Sequence, residues 1–295
     1  MTQLSVVVTC TERKVMRARP ELQVRTLPSG TVSSRVRRWC SLLDAEAATL
    51  PLNELYQGEH WVQAKTLLGA AEAAGFSPRL WVASAGVGLQ PATDTYPSYA
   101  ATFSPRHADT VADTSDDRRL WWQNLAERMG NQKLVDLAAK GPVLLVLSEV
   151  YASVLQFDLV ELGKAGSDVL LVGGLTDIEG IHRVPANGAL RSALGGTLTG
   201  LNVRMAASWL EHCRNGELAG SSTVAAWGRW AASAARTERY DRQPLTDAQV
   251  KAFIRQSVQV YPDYSRTKLH RLLRDSGRAC EQKRFAALYT ETMGE

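Results

Sequence analysis

Four unbroken apolar runs punctuate the chain, at Leu4–Thr9, Leu80–Ser84, Val143–Leu147 and Val169–Val172. Runs that are continuous rather than alternating belong to strands covered on both faces, the condition of a parallel sheet between helices. Between them the period changes to 3.6. His60–Ala74 places Trp61, Ala64, Leu67, Leu68 and Ala71 on one face, Asp117–Ala139 does the same with a break near Gly130-Asn131, and Val154–Leu162 and Asn202–Cys213 follow, the last stopping near Asn215-Gly216. Strands alternating with helices predict an α/β fold, a three-layer sandwich around a four-stranded parallel sheet.

After a charged, aperiodic stretch at Arg236–Pro244, which reads as a linker, three short helices are expected at Thr246–Val258, Ser265–Asp275 and Ala279–Thr292. Thr246 and Ser265 suit N-caps, and Ser276-Gly277 suits the turn before the last helix. The chain therefore divides into an α/β domain over 1–235 and a helical module over 245–295 that resembles a helix-turn-helix unit.

Charge sharpens this division. Residues 1–40 carry eight Lys/Arg against two Asp/Glu, 41–235 carry fourteen against twenty, and 236–295 carry twelve against eight, within a formal net charge of +4. Two basic ends flanking an acidic middle suit contact with a polyanion, with Arg35, Arg37 and Arg38 at one end and Lys268, Arg271, Lys283 and Arg284 at the other. Solvated helical faces would show a similar charge, so this alone does not decide the partner. The 45% hydrophobic content over 295 residues supplies a sizeable core and excludes disorder. The opening MTQLSVVVTCTERK lacks the form of a signal peptide, and no apolar run reaches the ~18 residues of a membrane span. A soluble, cytoplasmic protein with no membrane partner is expected. Cys10, Cys40, Cys213 and Cys280 are widely spaced, which fits a reducing compartment and no structural metal.

Several reaction classes drop out. GxxxxGK[ST], GxGxxG after the first strand, GxSxG and HExxH are all absent, and no pair among the five histidines has ligand spacing. Neither a metal nor a diffusible cofactor is expected. What remains is a set of hydroxyls, carboxylates and aromatics at the strand ends, where open α/β sheets bind ligands. Cys10 and Thr11, with Arg13 and Lys14, leave the first strand; Ser84 and Gly86 leave the second, with Asp94, Tyr96 and Tyr99 in the loop beyond. Ser148, Glu149 and Tyr151 leave the third, and Ile181–Gly188, with His182, Arg183 and Asn187, follows the fourth. Aromatic plates with amide and hydroxyl donors suit a flipped nucleobase, and a carboxylate suits activation of water or stabilisation of a sugar cation. Turn capping and core packing use the same residue types.

Spaced motifs over roughly the first 100–110 residues add a resemblance. Cys10–Lys14, Leu55-Tyr56 with Gly58, Ser84-Ala85 with Gly88-Leu89, and Pro97–Tyr99 resemble, in order, the pattern of the DUF6884 / YaaA-like family, departing from it at Gly86-Val87 and at Ala100. The resemblance implies a uracil-DNA-glycosylase-like architecture and a place in nucleobase chemistry. Leu273–Phe285 looks like a helical module that accompanies phage enzymes acting on hypermodified bases. The combination is similar to bacterial anti-phage DNA glycosylases that excise glucosylated hydroxymethylcytosine. On that reading the partner is modified phage DNA, with Glu149, Asp94 and Asn187 as catalytic residues. Cys10, Thr11, Ser84, Gly86, Tyr99, Ser148, Tyr151, His182 and Arg183 would hold the base, and the basic ends would hold phosphates. A non-catalytic DNA-protecting protein of the YaaA-like type and an RNA base-modification enzyme are the alternatives.

Overall fold

The computed structural model describes residues 1–47, 50–213, 216–236 and 242–294. Asn215, part of the expected helix stop, and residues 237–241 of the expected linker lie outside the described residues. The chain forms two compact units, Met1–Arg236 and Thr237–Glu295.

The first unit is α/β. Its central sheet contains β1 (Thr2–Thr9), β2 (Phe76–Ser84), β3 (Gly88–Pro91), β4 (Val143–Leu147), β5 (Val169–Gly173) and β6 (His182–Val184), in the order β3-β2-β1-β4-β5-β6. Every neighbouring pair is parallel except β2 with β3. The sheet thus has six strands where the apolar runs predict four. The two additions are edge strands: β3 folds straight back on β2 through the turn at Ala85–Val87, and β6 is only three residues long.

Consecutive residues Leu4–Val8 are all at most 2% exposed, so both faces of β1 are covered. Helices α1 (Val32–Ala45) and α3 (Ser115–Met129) pack together, as do α2 (Glu59–Ala73) and α6 (Leu201–His212). This arrangement is compatible with a three-layer sandwich. The broken periodicity over Asp117–Ala139 resolves into α3 and a short helix, Leu134–Ala138, because Gly130 ends α3 in the left-handed conformation at φ 61°. Beyond β4 the chain forms α4 (Glu149–Val154) and α5 (Gln156–Lys164), so helix begins five residues before the expected Val154. A further helix, α7 (Ser221–Ala234), packs on α6.

The second unit contains α8 (Asp247–Val260), α9 (Arg266–Asp275) and α10 (Gln282–Met293). Thr246 and Ser265 are N-caps as expected, accepting from the backbone N–H of Gln249 and Lys268. Val250, Ile254, Leu269, Leu273, Phe285 and Leu288 form a core of their own. A parallel bridge between Gln243-Pro244 and Arg278-Ala279 joins the start of the unit to the turn before α10.

Candidate functional site

The strand order defines where a ligand would sit. From β1 the chain builds outward to β2 and β3 on one side, then crosses to β4 on the other and continues to β5 and β6. The crevice between the carboxyl ends of β1 and β4 is therefore the topological switch point of the sheet. An open cleft of about 590 Å³ lies there, within the ~300–1,000 Å³ range of small-molecule sites. Thr9, Cys10 and Thr11 come to it from β1, and Val146, Leu147 and Ser148 from β4. Gln57, Glu59 and His60 line it from the start of α2, and Thr197, Thr199 and Asn202 from the segment leading into α6.

The walls are held by side chains. Glu59 accepts from Arg204 Nη2 at 3.0 Å, from the Thr197 N–H at 3.2 Å and from Thr197 Oγ1 at 2.9 Å. The Arg204 guanidinium above all holds its carboxyl below the usual carboxylate range. Asn202 Nδ2 donates to the Leu147 carbonyl at 3.3 Å. His60 Nε2 lies 3.1 Å from the Thr9 carbonyl, and burial lowers the pKa of the ring despite its hydrogen bonds to the backbone of Thr9 and Thr199.

The turn after β1 also borders a second cavity, of about 420 Å³. Glu12 lines both cavities, and Lys14, Tyr99, His107 and Asp109 line the second. Asp109 is buried and accepts from Arg25 Nε at 2.8 Å, while its own N–H donates to His107 Nδ1 at 3.1 Å. With Nδ1 occupied as an acceptor, His107 Nε2 carries the proton and donates to Glu12 Oε1 at 3.1 Å. Glu12 is thus an exposed carboxylate with an assigned orienting partner, between two cavities.

Behind the turn lies a buried polar cluster. The Tyr56 and Tyr99 hydroxyls are hydrogen-bonded to each other, Ser84 Oγ lies 2.6 Å from the Tyr99 hydroxyl, and Cys10 Sγ lies 3.1 Å from the Tyr151 hydroxyl. Burial raises the pKa of all three phenols, so they remain protonated. Trp39 and Trp121 donate their indole N–H to the carbonyls of Gly86 and Ala85, at 2.7 and 2.8 Å, and fix the turn between β2 and β3.

Comparison with family models, with curated proteins and with solved structures finds no match.

Of the residues singled out from the sequence, Cys10, Thr11 and Ser148 line the cleft. Ser148 also caps α4. Others are in the wall. Ser84 and Gly86 are fully buried, Tyr99 is 1% exposed and Tyr151 is 7% exposed with its ring against Phe103. These aromatics are not open plates for a base. Glu149 is the exposed first residue of α4 and does not line the cleft. Asp94 is carried away from the carboxyl edge, because β3 runs back along β2 from Gly88 beside Ser84 to Pro91 beside Trp81. His182 pairs with Leu170 near the start of β5 and packs on Trp209, again far from the carboxyl ends. Asn187 Oδ1 accepts from the Ala189 N–H and caps a single 3-10 turn. Arg183 Nε and Nη2 donate to the carbonyls of Gly173 and Gly174, and Nη1 to Asp177, so it braces the turn after β5.

Of the basic residues, Arg35 donates to the Val111 carbonyl at 2.6 Å and lies over Trp121, a structural role, whereas Arg37 and Arg38 are exposed. Lys268, Arg271 and Lys283 are exposed. Arg284 pairs with Asp247 and donates to the Leu245 carbonyl, tying α10 to the start of α8. Glu12, His107, Gln57, Glu59, Thr197 and Asn202 carry no sequence signal of their place in the site: Glu12 is hidden within the Cys10–Lys14 turn, and the others lie in loops and helix starts away from the apolar strands.

Proposed function

We propose that the protein is a DNA glycosylase that hydrolyses the N-glycosidic bond of a bulky modified base in phage DNA, glucosylated hydroxymethylcytosine being the base the family resemblance favours. The observation that carries the reading is Glu12: a carboxylate oriented by His107 beside a nucleotide-sized cleft at the switch point of the sheet. Cleavage of the bond builds positive charge on the sugar and negative charge on the departing base. Glu12 would stabilise the first and direct water. The hydroxyls and amides of Thr11, Gln57, Thr197 and Asn202 would hydrogen-bond the base and its sugar substituent. The carboxylate role thus passes from Glu149 and Asp94 to Glu12. Arg13, exposed on the same turn, would meet a flanking phosphate.

The second unit is proposed as a helix-turn-helix-like DNA-binding module, its exposed cations supplying affinity. Replacing Arg271 and Lys283 by Gln is expected to weaken DNA binding on every sequence and to reduce the slope of log K against log salt by about two. An unchanged slope in a titration from low to moderate salt would remove these residues from the interface.

The direct test incubates purified protein with phage DNA carrying glucosylated hydroxymethylcytosine, and with unmodified DNA. Alkali-labile breaks in the modified DNA alone are expected. Absence of breaks with tight binding would leave the non-catalytic protection reading instead. Base release is also expected to persist in excess EDTA, since the sequence holds no ligand-spaced Cys/His pair. Loss of activity in EDTA with recovery on added Mg²⁺ or Zn²⁺ would contradict that expectation.

A further inference from the structure

We infer that Lys14, which lines the second cavity beside the cleft, gives the protein a second activity, that of an abasic-site lyase, in which its amine forms an imine with an abasic sugar entering that cavity and the strand is cut on the 3′ side. The inference rests on the base-release reading for the origin of the abasic sugar, and on Lys14 itself for the chemistry.

Lys14 is unlike the surface lysines of the chain. It follows Glu12 by two residues on the turn shared by the two cavities, and its side chain is half-buried. The ammonium lies 4.3 Å from the ring centroid of Tyr99 and 5.3 Å from that of Tyr56. Its backbone is fixed, because its carbonyl accepts from Gln57 Nε2 at 2.7 Å and it forms an antiparallel bridge with Tyr56. No carboxylate among the described residues forms an ion pair with it, whereas Lys251 pairs with Glu291. A lysine held against aromatic faces in a concave site, with no described carboxylate within ion-pair distance, resembles a desolvated nucleophile more than a solvated charge. Burial lowers its pKa despite the opposing carboxylates Glu12 and Asp109, which increases the fraction of neutral amine.

The step balances without any added oxidant or reductant. The neutral amine of Lys14 adds to C1′ of the open-chain aldehyde, and the carbinolamine loses water to give a protonated imine. A base, for which Glu12 is placed, removes the proton from C2′. The electron pair of that C–H bond forms the C2′–C3′ double bond, and the C3′–O bond breaks with its electrons leaving on the 3′ phosphate. Water then hydrolyses the imine, restoring the amine and releasing an unsaturated aldehyde on the 5′ fragment.

The experiment uses a duplex oligonucleotide with one preformed abasic site, so it does not depend on recognition of any modified base. Borohydride added during incubation with the full-length protein reduces the imine to a stable amine. A covalent protein–DNA species is expected, with Lys14→Arg reducing it to background. Because that variant alone leaves a folding objection, the wild-type adduct is also digested with trypsin, and mass spectrometry is expected to place the sugar remnant on Lys14 with cleavage after it blocked. No trapped species, or a remnant mapped to another amine, would overturn the inference. Breaks in modified phage DNA, scored after alkali treatment, without trapping would overturn the lyase alone; trapping with no breaks in modified DNA before or after alkali would retain the lyase and remove the base-release reading.

Discussion

Glu12→Gln is expected to slow base release by about 10²-fold or more, the scale typical of losing an acid/base or electrostatic role at a reacting centre. The substitution conserves volume and can still accept from His107 Nε2–H, so the Cys10–Lys14 turn should keep its shape. What disappears is the negative charge facing the cleft. DNA affinity should be unchanged, because the exposed cations of the second unit are untouched. Glu149→Gln provides the contrast. That carboxylate sits in the first turn of α4, where it favours the helix dipole by a few tenths of a kcal/mol, and the expected rate is within about threefold of wild type. Single-turnover rates on modified DNA decide between the two. A slow Glu149→Gln and a normal Glu12→Gln would return the role to the end of β4.

The second large effect is on folding. Gly86→Ala is expected to destabilise the first unit by roughly 1–3 kcal/mol or more, the usual cost of forcing extra volume into a packed core. A Cβ at Gly86 would lie 2.5 Å from Tyr99 Cδ2 and closer still to Cε2. Tyr99 has no room to retreat. Its hydroxyl is held by Tyr56 and Ser84, and its ring meets the edge of Trp39 at a centroid distance of 6.3 Å. The Gly86 carbonyl is itself fixed by the Trp39 indole, so the backbone cannot swing away without breaking that bond. For a unit of this size, ~2–4 °C of Tm accompanies each kcal/mol, which predicts a loss of several degrees in a thermal melt. A melt indistinguishable from wild type would mean that the tyrosine cluster is more yielding than its bonding implies.

The sequence was most informative where burial is two-sided. β1, β4 and β5 are continuous apolar runs because both faces are covered, and their positions are legible from that fact alone. The edges were not legible. β3 has only four residues and β6 only three, with His182 and Arg183 carrying no apolar signal. Strand ends bring Cys10, Thr11 and Ser148 together at the switch point, as their positions after β1 and β4 imply. Strand ends do not bring Asp94 there, because the return of β3 reverses the chain, a turn whose only local signal is the Gly86–Gly88 spacing. Tyr99 and Tyr151 lie in the wall, and sequence gives residue type but not depth. Glu59 and Asn202 come to the cleft from helix starts, which a search confined to strand ends passes over.

The position of β1 has a consequence during synthesis. This strand lies in the middle of the sheet, but its partners are Phe76–Ser84 and Val143–Leu147, which leave the ribosome well after it. At ~5–20 residues per second the last of them trails by on the order of ten seconds. For that interval a run as sticky as Leu4–Val8 lacks at least one of its two neighbouring strands. Chaperone capture of nascent chains should therefore concentrate on ribosomes that have not yet translated β4, and slowing translation between β2 and β4 should lower the yield of native protein more than slowing it beyond β5.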